Sequence, residues 1–292
     1  LWISGIAEVR NSSVIGNAAS GPGGGVYVSE GSLSLVNVTV SGNEASSGGG
    51  IFNSDQALPI DPVSIASSTI ANNQGDDSGN IVNKDGRKLA LINSIIIGSM
   101  GSLMDCAGAV DSIGHNIVGN IGSASSPACR SEWLSTDMVG TFSEKILPED
   151  VINPNISNHA STGQWRHPLF LGSLALEAGN DALPGSGGNA CPATDQLGVA
   201  RPQGARCDVG AVEYRFEINP PASLLVTFNA GNETDLPGIQ VCAGNTGACS
   251  SSDVSAKSAH QFAFSAFSQF KTWYGRKSID GNGLQIKSVV HY

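Results

Sequence analysis

The first hundred residues repeat themselves. Set in register, residues 1–25 read LWISGIAEVRNSSVIGNAASGPGGG and residues 26–50 read VYVSEGSLSLVNVTVSGNEASSGGG. Residues 51–80 read IFNSDQALPIDPVSIASSTIANNQGDDSGN, and a fourth unit opens at Ile81. The periods are 25, 25 and 30 residues. A period in this range marks a stacked architecture in which no unit buries its apolar face alone. Each unit offers a short apolar strand, a turn, an alternating strand such as Ser32-Leu33-Ser34-Leu35, and a further run such as Val38-Thr39-Val40. Three short strands per unit predict an all-β fold, a right-handed parallel β-helix in which like strands stack about 4.8 Å apart. Alternation turns Leu33 and Leu35 inward and the serines outward.

Asparagines recur at the strand junctions: Asn11, Asn37 and Asn93 before one strand, and Asn17, Asn43 and Asn73 after it. Asparagine tolerates the left-handed backbone region, and its amide can hydrogen-bond along a stack. The runs Gly23-Gly24-Gly25 and Gly48-Gly49-Gly50 let a corner turn without a Cβ clash. A leucine-rich repeat is the alternative for this period, but its leucine frame is missing. Because each complete unit ends on a Gly-rich corner, residue 1 is expected to lie mid-solenoid. That open rung is the expected docking edge for protein neighbours.

Composition narrows the class. Glycine (37), serine (39) and asparagine (22) supply a third of the 292 residues, and only 14% are charged. That excludes a coiled coil, while 40% hydrophobic residues exclude a disordered chain. The net charge of -10 leaves no basic stripe for nucleic acid. No apolar run reaches the roughly 20 residues of a membrane span, and no signal peptide is visible at Leu1-Trp2-Ile3-Ser4. Six cysteines fall in neighbouring pairs, Cys106/Cys129, Cys191/Cys207 and Cys242/Cys249. Even number and local spacing predict three disulfides and an oxidising compartment, with three buried thiol pairs as the alternative. No C-x-x-C occurs and no histidine lies within a few residues of a cysteine, so zinc is not expected.

Further strings carry a resemblance. NVTVSGN at 37–43 and GGGIFN at 48–53 resemble the repeat of secreted bacterial proteins of the pectate-lyase-like β-helix class. NSIII at 93–97, DCAG at 105–108, SIGHNIVGN at 112–120 and above all CPATDQLGVARPQGARCDVGAVEY at 191–214 are similar to the choice-of-anchor Q domain of bacterial surface proteins. The resemblance covers residues 1–215. Only pieces of that family's Pro-Leu segment survive, at His167-Pro168-Leu169 and Leu183-Pro184-Gly185-Ser186, which leaves the path of 130–190 open. The resemblance implies an exported module at the cell surface, with the periplasm as alternative, and does not imply a known catalytic activity.

Residues 216–292 differ in kind. They hold 9 of the 17 aromatic residues and balance 5 acids with 5 bases, against 20 and 10 before them. Ile218-Asn219-Pro220-Pro221 reads as a stiff linker, so domains of 1–215 and 216–292 are expected. Strand-like runs at 224–228, 238–242 and 284–290 predict a small β-rich C-terminal domain, possible in assembly or attachment, with a loop stapled by Cys242–Cys249. The segment 260–267 fits a strand or a helix equally.

Chemistry is sparse. Asp76-Asp77 is the one adjacent acidic pair in the repeats and reads as a solvated turn. Arg10 is the sole basic residue before Lys84, so a lyase lacks its base. His115 reads as a turn histidine. His159 and His167 flank Trp165, so Trp165 and His167 are the candidate carbohydrate contact, and polysaccharide is a further candidate partner. Asn11, Asn37, Asn155 and Asn232 fit the glycosylation sequon, but the first two belong to the repeat and need no glycan. No catalytic residue, metal ligand or cofactor is assigned. The expectation is a non-enzymatic structural or adhesive protein of an extracellular assembly, with a carbohydrate-active enzyme or a carbohydrate-binding module as the alternative.

Overall fold

A computed structural model describes residues 1–54, 62–102, 104–214, 225–229, 239–244, 249, 252–274 and 286–290. The predicted linker at 218–221 lies outside them. The chain divides into two compact units, residues 1–214 and 215–292.

The first unit is a parallel β-helix. One sheet stacks six strands in the order Trp2–Ile3, Val26–Val28, Ile51–Asn53, Ile81–Asn83, Cys106–Ala109 and Cys129–Arg130. Its register sets Trp2 beside Tyr27, Tyr27 beside Phe52 and Phe52 beside Val82, offsets that repeat the sequence periods. A larger nine-stranded sheet is built around Leu33–Ser41, which pairs in parallel with Ala7–Ile15 on one side and with Val63–Ala66 and Thr69–Ala71 on the other. Leu33, Leu35, Val38 and Val40 all point into the core, joined there by Ile51, Val63, Ile65, Ile70, Leu89 and Leu91. The inward set shifts from odd to even positions because Asn37 lies between them at φ 55°, a left-handed residue that resets the alternation.

That bend forms a column. Asn11, Asn37, Ser67, Asn93 and His115 take φ values from 46° to 59° at successive corners. The Gly-rich corners have another reason for their residues: a Cβ on Gly49 would be driven into the carbonyl oxygen of Gln74 on the next rung.

Past residue 140 the chain leaves the rungs and folds back over the larger sheet. The short helix Pro148–Val151 and the hairpin of Ser157–Asn158 with Trp165–Arg166 begin this cover. Its later passes hydrogen-bond to the rungs at Asn37, Thr39, Ser41, Thr69 and Asn93. A second core results, in which Ile95, Ile97 and Ile117 of the sheet meet Val151, Ile152, Val209, Ala211 and Val212 of the cover. This is why Ile95, Ile96 and Ile97 are three consecutive fully buried residues: the strand is covered on both faces.

In the second unit Leu225–Asn229 pairs antiparallel with Ile239–Gly244 and parallel with Ile286–Val290. A parallel partner needs a crossover, and the 21-residue helix Val254–Tyr274 lies between those strands in sequence. Asp253 caps it, its carboxylate accepting the N–H groups of Ser255 and Ala256. The ambiguous segment 260–267 is therefore helical. Ala256 and His260, four apart, are buried on its inner side, while Val254 and Phe262 are exposed.

Candidate functional site

The polar groups inside the solenoid form two one-way relays. Asn17 Nδ2 donates to Asn43 Oδ1 (2.8 Å), Asn43 to Asn73 (2.8 Å), Asn73 to Asn80 (2.9 Å), and Asn80 to Asp105 Oδ1 (3.0 Å). The second relay runs from Val38 N–H to Ser68 Oγ, Ser68 N–H to Ser94 Oγ, Ser94 N–H to Asn116 Oδ1 and Asn116 to Asp137 Oδ1. Both end on aspartate. Every rung accepts from the one before and donates to the one after, so the final position needs acceptors and has no use for an NH₂. Asn11 and Asn37 are joined separately (3.0 Å) in the left-handed column, while Asn93 accepts from Asn180 N–H and donates to Asn189 O. Burial outweighs the hydrogen bonds at Asp105 and pushes its carboxyl up to about 6.

The cover over the larger sheet holds the residues singled out for ligand contact. His167 is 2% exposed. Its Nε2 meets Ser41 Oγ at 2.8 Å and its Nδ1 meets Asn153 O at 2.8 Å. A carbonyl only accepts, so the proton is assigned to Nδ1 and Ser41 donates to Nε2. The pair has the connectivity of a nucleophile and its base, yet Ser41 is only 3% exposed. Burial lowers the His167 pKa below its ordinary 6.5. Trp165 is 39% exposed, and its carbonyl accepts from Ser13 and Gln196. Trp165 and His167 thus do not share a binding face. His115 bonds to Ala178 O and His159 to the hydroxyls of Ser161 and Thr162.

Residues 191–214 form the innermost part of the cover. Arg201 is buried in an ion pair with Glu213 at 2.9 Å, and its guanidinium also donates to the carbonyls of Asp208 and Gly210. Asp195 accepts the N–H groups of Leu197, Val199 and Glu213, and Asp208 those of Glu177 and Tyr214. Cys191 is bonded to Cys207 across this loop, as Cys106 is to Cys129 between adjacent rungs and Cys242 to Cys249 in the second unit. Sequence reasoning missed Asp105, Asp137, Asp195, Arg201, Asp208 and Glu213. A signal did exist for Asp105, an aspartate 25 residues beyond Asn80 where the next rung's asparagine is due.

On the outer side of the smaller sheet Trp2 is 70% exposed while Phe52 and Val82 are buried. Trp2, Tyr27 and Phe52 stack along it with centroids 4.5 and 5.5 Å apart, and Lys84 Nζ lies 5.4 Å from the Phe52 ring. Beside them an open groove of about 520 Å³ is lined by Asp76, Asp77, Lys84, Asp85 and Arg130 among others. Its charges are engaged, Asp85 by Arg130 and Asp77 by the Ser47 hydroxyl. Among the described residues no three His, Cys, Asp or Glu side chains converge to hold a metal ion, and no helix is long and apolar enough to cross a membrane. In the second unit the buried His260 meets Thr227 Oγ1 at 3.2 Å through Nδ1, and Cys242 packs beneath the helix against Ala256.

Comparison with known proteins points to this second unit. Residues 205–292 match the model of the family described as thermolysin metallopeptidase, catalytic domain. A thermolysin of Alicyclobacillus acidocaldarius subsp. acidocaldarius is 31% identical over 122 residues, covering 39% of this chain and 22% of that protein. A bacillolysin of Bacillus caldolyticus and the thermostable neutral protease NprT of Geobacillus stearothermophilus are each 34% identical over 79 residues, covering 27% of this chain and 14% of those proteins. The chain spans about a fifth of the length of the thermolysin it matches. No solved structure matches.

These matches overturn three expectations. The likeness to a choice-of-anchor Q, pectate-lyase-like surface protein is overturned by the match of residues 205–292 to the thermolysin metallopeptidase model and by the thermolysin and bacillolysin relatives. Within 191–214 the residues that carried the likeness bond one another, Arg201 to Glu213, Asp195 to the Glu213 N–H and Cys191 to Cys207. The non-enzymatic structural or adhesive role gives way with it. So does the carbohydrate alternative: the larger sheet's outer face is filled by the protein's own chain, and His167 is buried.

Proposed function

We propose that this chain contributes part of a thermolysin-like metallopeptidase, secreted to the cell exterior, with the parallel β-helix as an accessory unit. The family match across 205–292 carries the reading. Support comes from the local build of that segment, a mixed three-stranded sheet whose parallel connection brings in a capped 21-residue helix. The disulfides agree with an oxidising exterior.

Thermolysin holds its zinc with two histidines and a glutamate, the histidines arriving in an H-E-x-x-H helix. The residues in hand do not fit that ion. The five histidines are followed by Asn116, Ala160, Pro168, Gln261 and Tyr292, so the motif does not occur in this sequence. No step through a metal is therefore derived for these residues. Their part is to build and support the lobe.

The test uses the protein as its source makes it, purified from culture fluid and assayed on casein with and without 1,10-phenanthroline. Chelator-sensitive hydrolysis is the expected outcome, while the 292-residue chain alone is expected to bind no zinc at equilibrium dialysis. Absence of chelator-sensitive hydrolysis from the native protein would refute the reading.

A further inference from the structure

The charge buried in residues 191–214 takes no part in the hydrogen-bond relays that stack the rungs. Asp195, Asp208 and Glu213 are each no more than 5% exposed, and Arg201 is the one cation among them. Fully ionised, the cluster carries two uncompensated negative charges inside the protein. We propose that it is a pH-gated latch: with one carboxyl protonated it locks residues 191–214 onto the larger sheet, and with all three ionised it lets that segment open. The geometry makes the cluster the segment's internal brace. Arg201 ties to the carbonyls of Asp208 and Gly210, Glu213 accepts the Asp208 N–H, and Asp195 accepts the Glu213 N–H. Next to that brace lie the segment's bonds to the sheet, Gly210 N–H to Asn93 O and Ala211 N–H to Thr69 Oγ1. The disulfide Cys191–Cys207 keeps the loop closed on itself, so opening is a hinged lift and not a dispersal.

Among the described residues Arg201 is the one cation that the cluster's carboxylates pair with. The strands beneath it, Thr69–Ala71 and Ile95–Ile97, carry no titratable side chain. The neighbouring pass presents Glu177, whose N–H donates to Asp208 while its carboxylate accepts the N–H of Arg206, and the Arg206 side chain is exposed. Burial, and after it the Glu213 charge, pushes Asp208 from 3.8 up to about 7, and burial pushes Glu213 upward as well. The opened segment releases its proton at the ordinary carboxylate value. The opening constant therefore rises with pH between about 4 and 7, by at most about tenfold per unit, and levels off above.

Hydrogen–deuterium exchange of the full chain from pH 5 to 9, corrected for intrinsic exchange, reads this directly. Amides of 205–214 are expected to lose protection up to pH 7 and then plateau, while those of Leu33–Ser41 stay protected. Asp208→Asn is expected to give a pH-independent opening. A flat wild-type profile, or parallel loss across the core strands, overturns the latch. Should Asp208→Asn not fold, the wild-type profile alone decides.

Discussion

Substituting Ser67 by asparagine is expected to stabilise the solenoid. Ser67 occupies the left-handed column at φ 46°, between Asn37 and Asn93, and is fully buried. Asn37 Nδ2 donates to Asn11 Oδ1 at 3.0 Å, but Asn37 Oδ1 and Ser67 Oγ have no hydrogen-bond partner among the described residues. An asparagine at 67 would present its Nδ2 to Asn37 Oδ1 and repeat the contact one rung on. Satisfying a buried acceptor contributes about 1–2 kcal/mol, and asparagine tolerates positive φ better than serine. The opposing effect is the larger side chain, since overpacking costs roughly 1–3 kcal/mol. Asn37 and Asn93 fit the same corner under the same cover, which tips the balance toward a net gain of about 1 kcal/mol. For a unit of this size that corresponds to a Tm increase of roughly 2–4 °C. Thermal unfolding followed by circular dichroism would measure it, with Asn37→Gly as the second leg of a double-mutant cycle. An unchanged or lowered Tm, or a gain that survives in the Asn37→Gly background, refutes the reasoning.

Two more outcomes follow from the rungs. Asp105 is held near 6 against an ordinary 3.8, so the fold favours its protonated form. Its contribution is fully present below about pH 4 and is lost as pH rises through about 6, on the order of 3 kcal/mol. Urea denaturation at pH 4, 5, 6 and 7 should show that decline in the wild type, and the difference between wild type and Asp105→Asn should carry it. Gly49→Ala pushes a Cβ into the Gln74 carbonyl and is expected to destabilise by roughly 1–3 kcal/mol. Gly21→Ala, with nothing within 4 Å of the new carbon, should stay within about 0.5 kcal/mol in the same melts.

The solenoid was legible because its information is periodic. Offsets of 25, 25 and 30 residues in the string are the strand registers in space, and the alternation of Leu33 and Leu35 states which face is inside. The cover was not legible, because its bonds join positions with no common period: Asn37 to Thr194, Thr39 to Gln196, Thr69 to Ala211. Helix Val254–Tyr274 escaped for a different reason. Phe262 and Phe264 alternate like strand residues, and the clearer signal was the Asp253 cap just ahead. His167 and Trp165 drew notice as a ligand platform because aromatic rings near histidines suggest one. Burial decides such cases, and sequence does not display it.

The same cover explains where reactive chemistry can lie. The solenoid interior is aliphatic, with Ile65, Ile70, Leu91 and their neighbours closing it to water. The outer face of the larger sheet is occupied by the protein's own chain, with its one nucleophile-like pair, Ser41 and His167, sealed beneath. Beside the smaller sheet the groove carboxylate Asp85 is paired with Arg130, and Asp77 accepts from the Ser47 hydroxyl. Asp105 and Asp137 end the relays while Asp195, Arg201, Asp208 and Glu213 brace the cover, and the burial of Asp105, Asp208 and Glu213 ties the stability of this unit to pH.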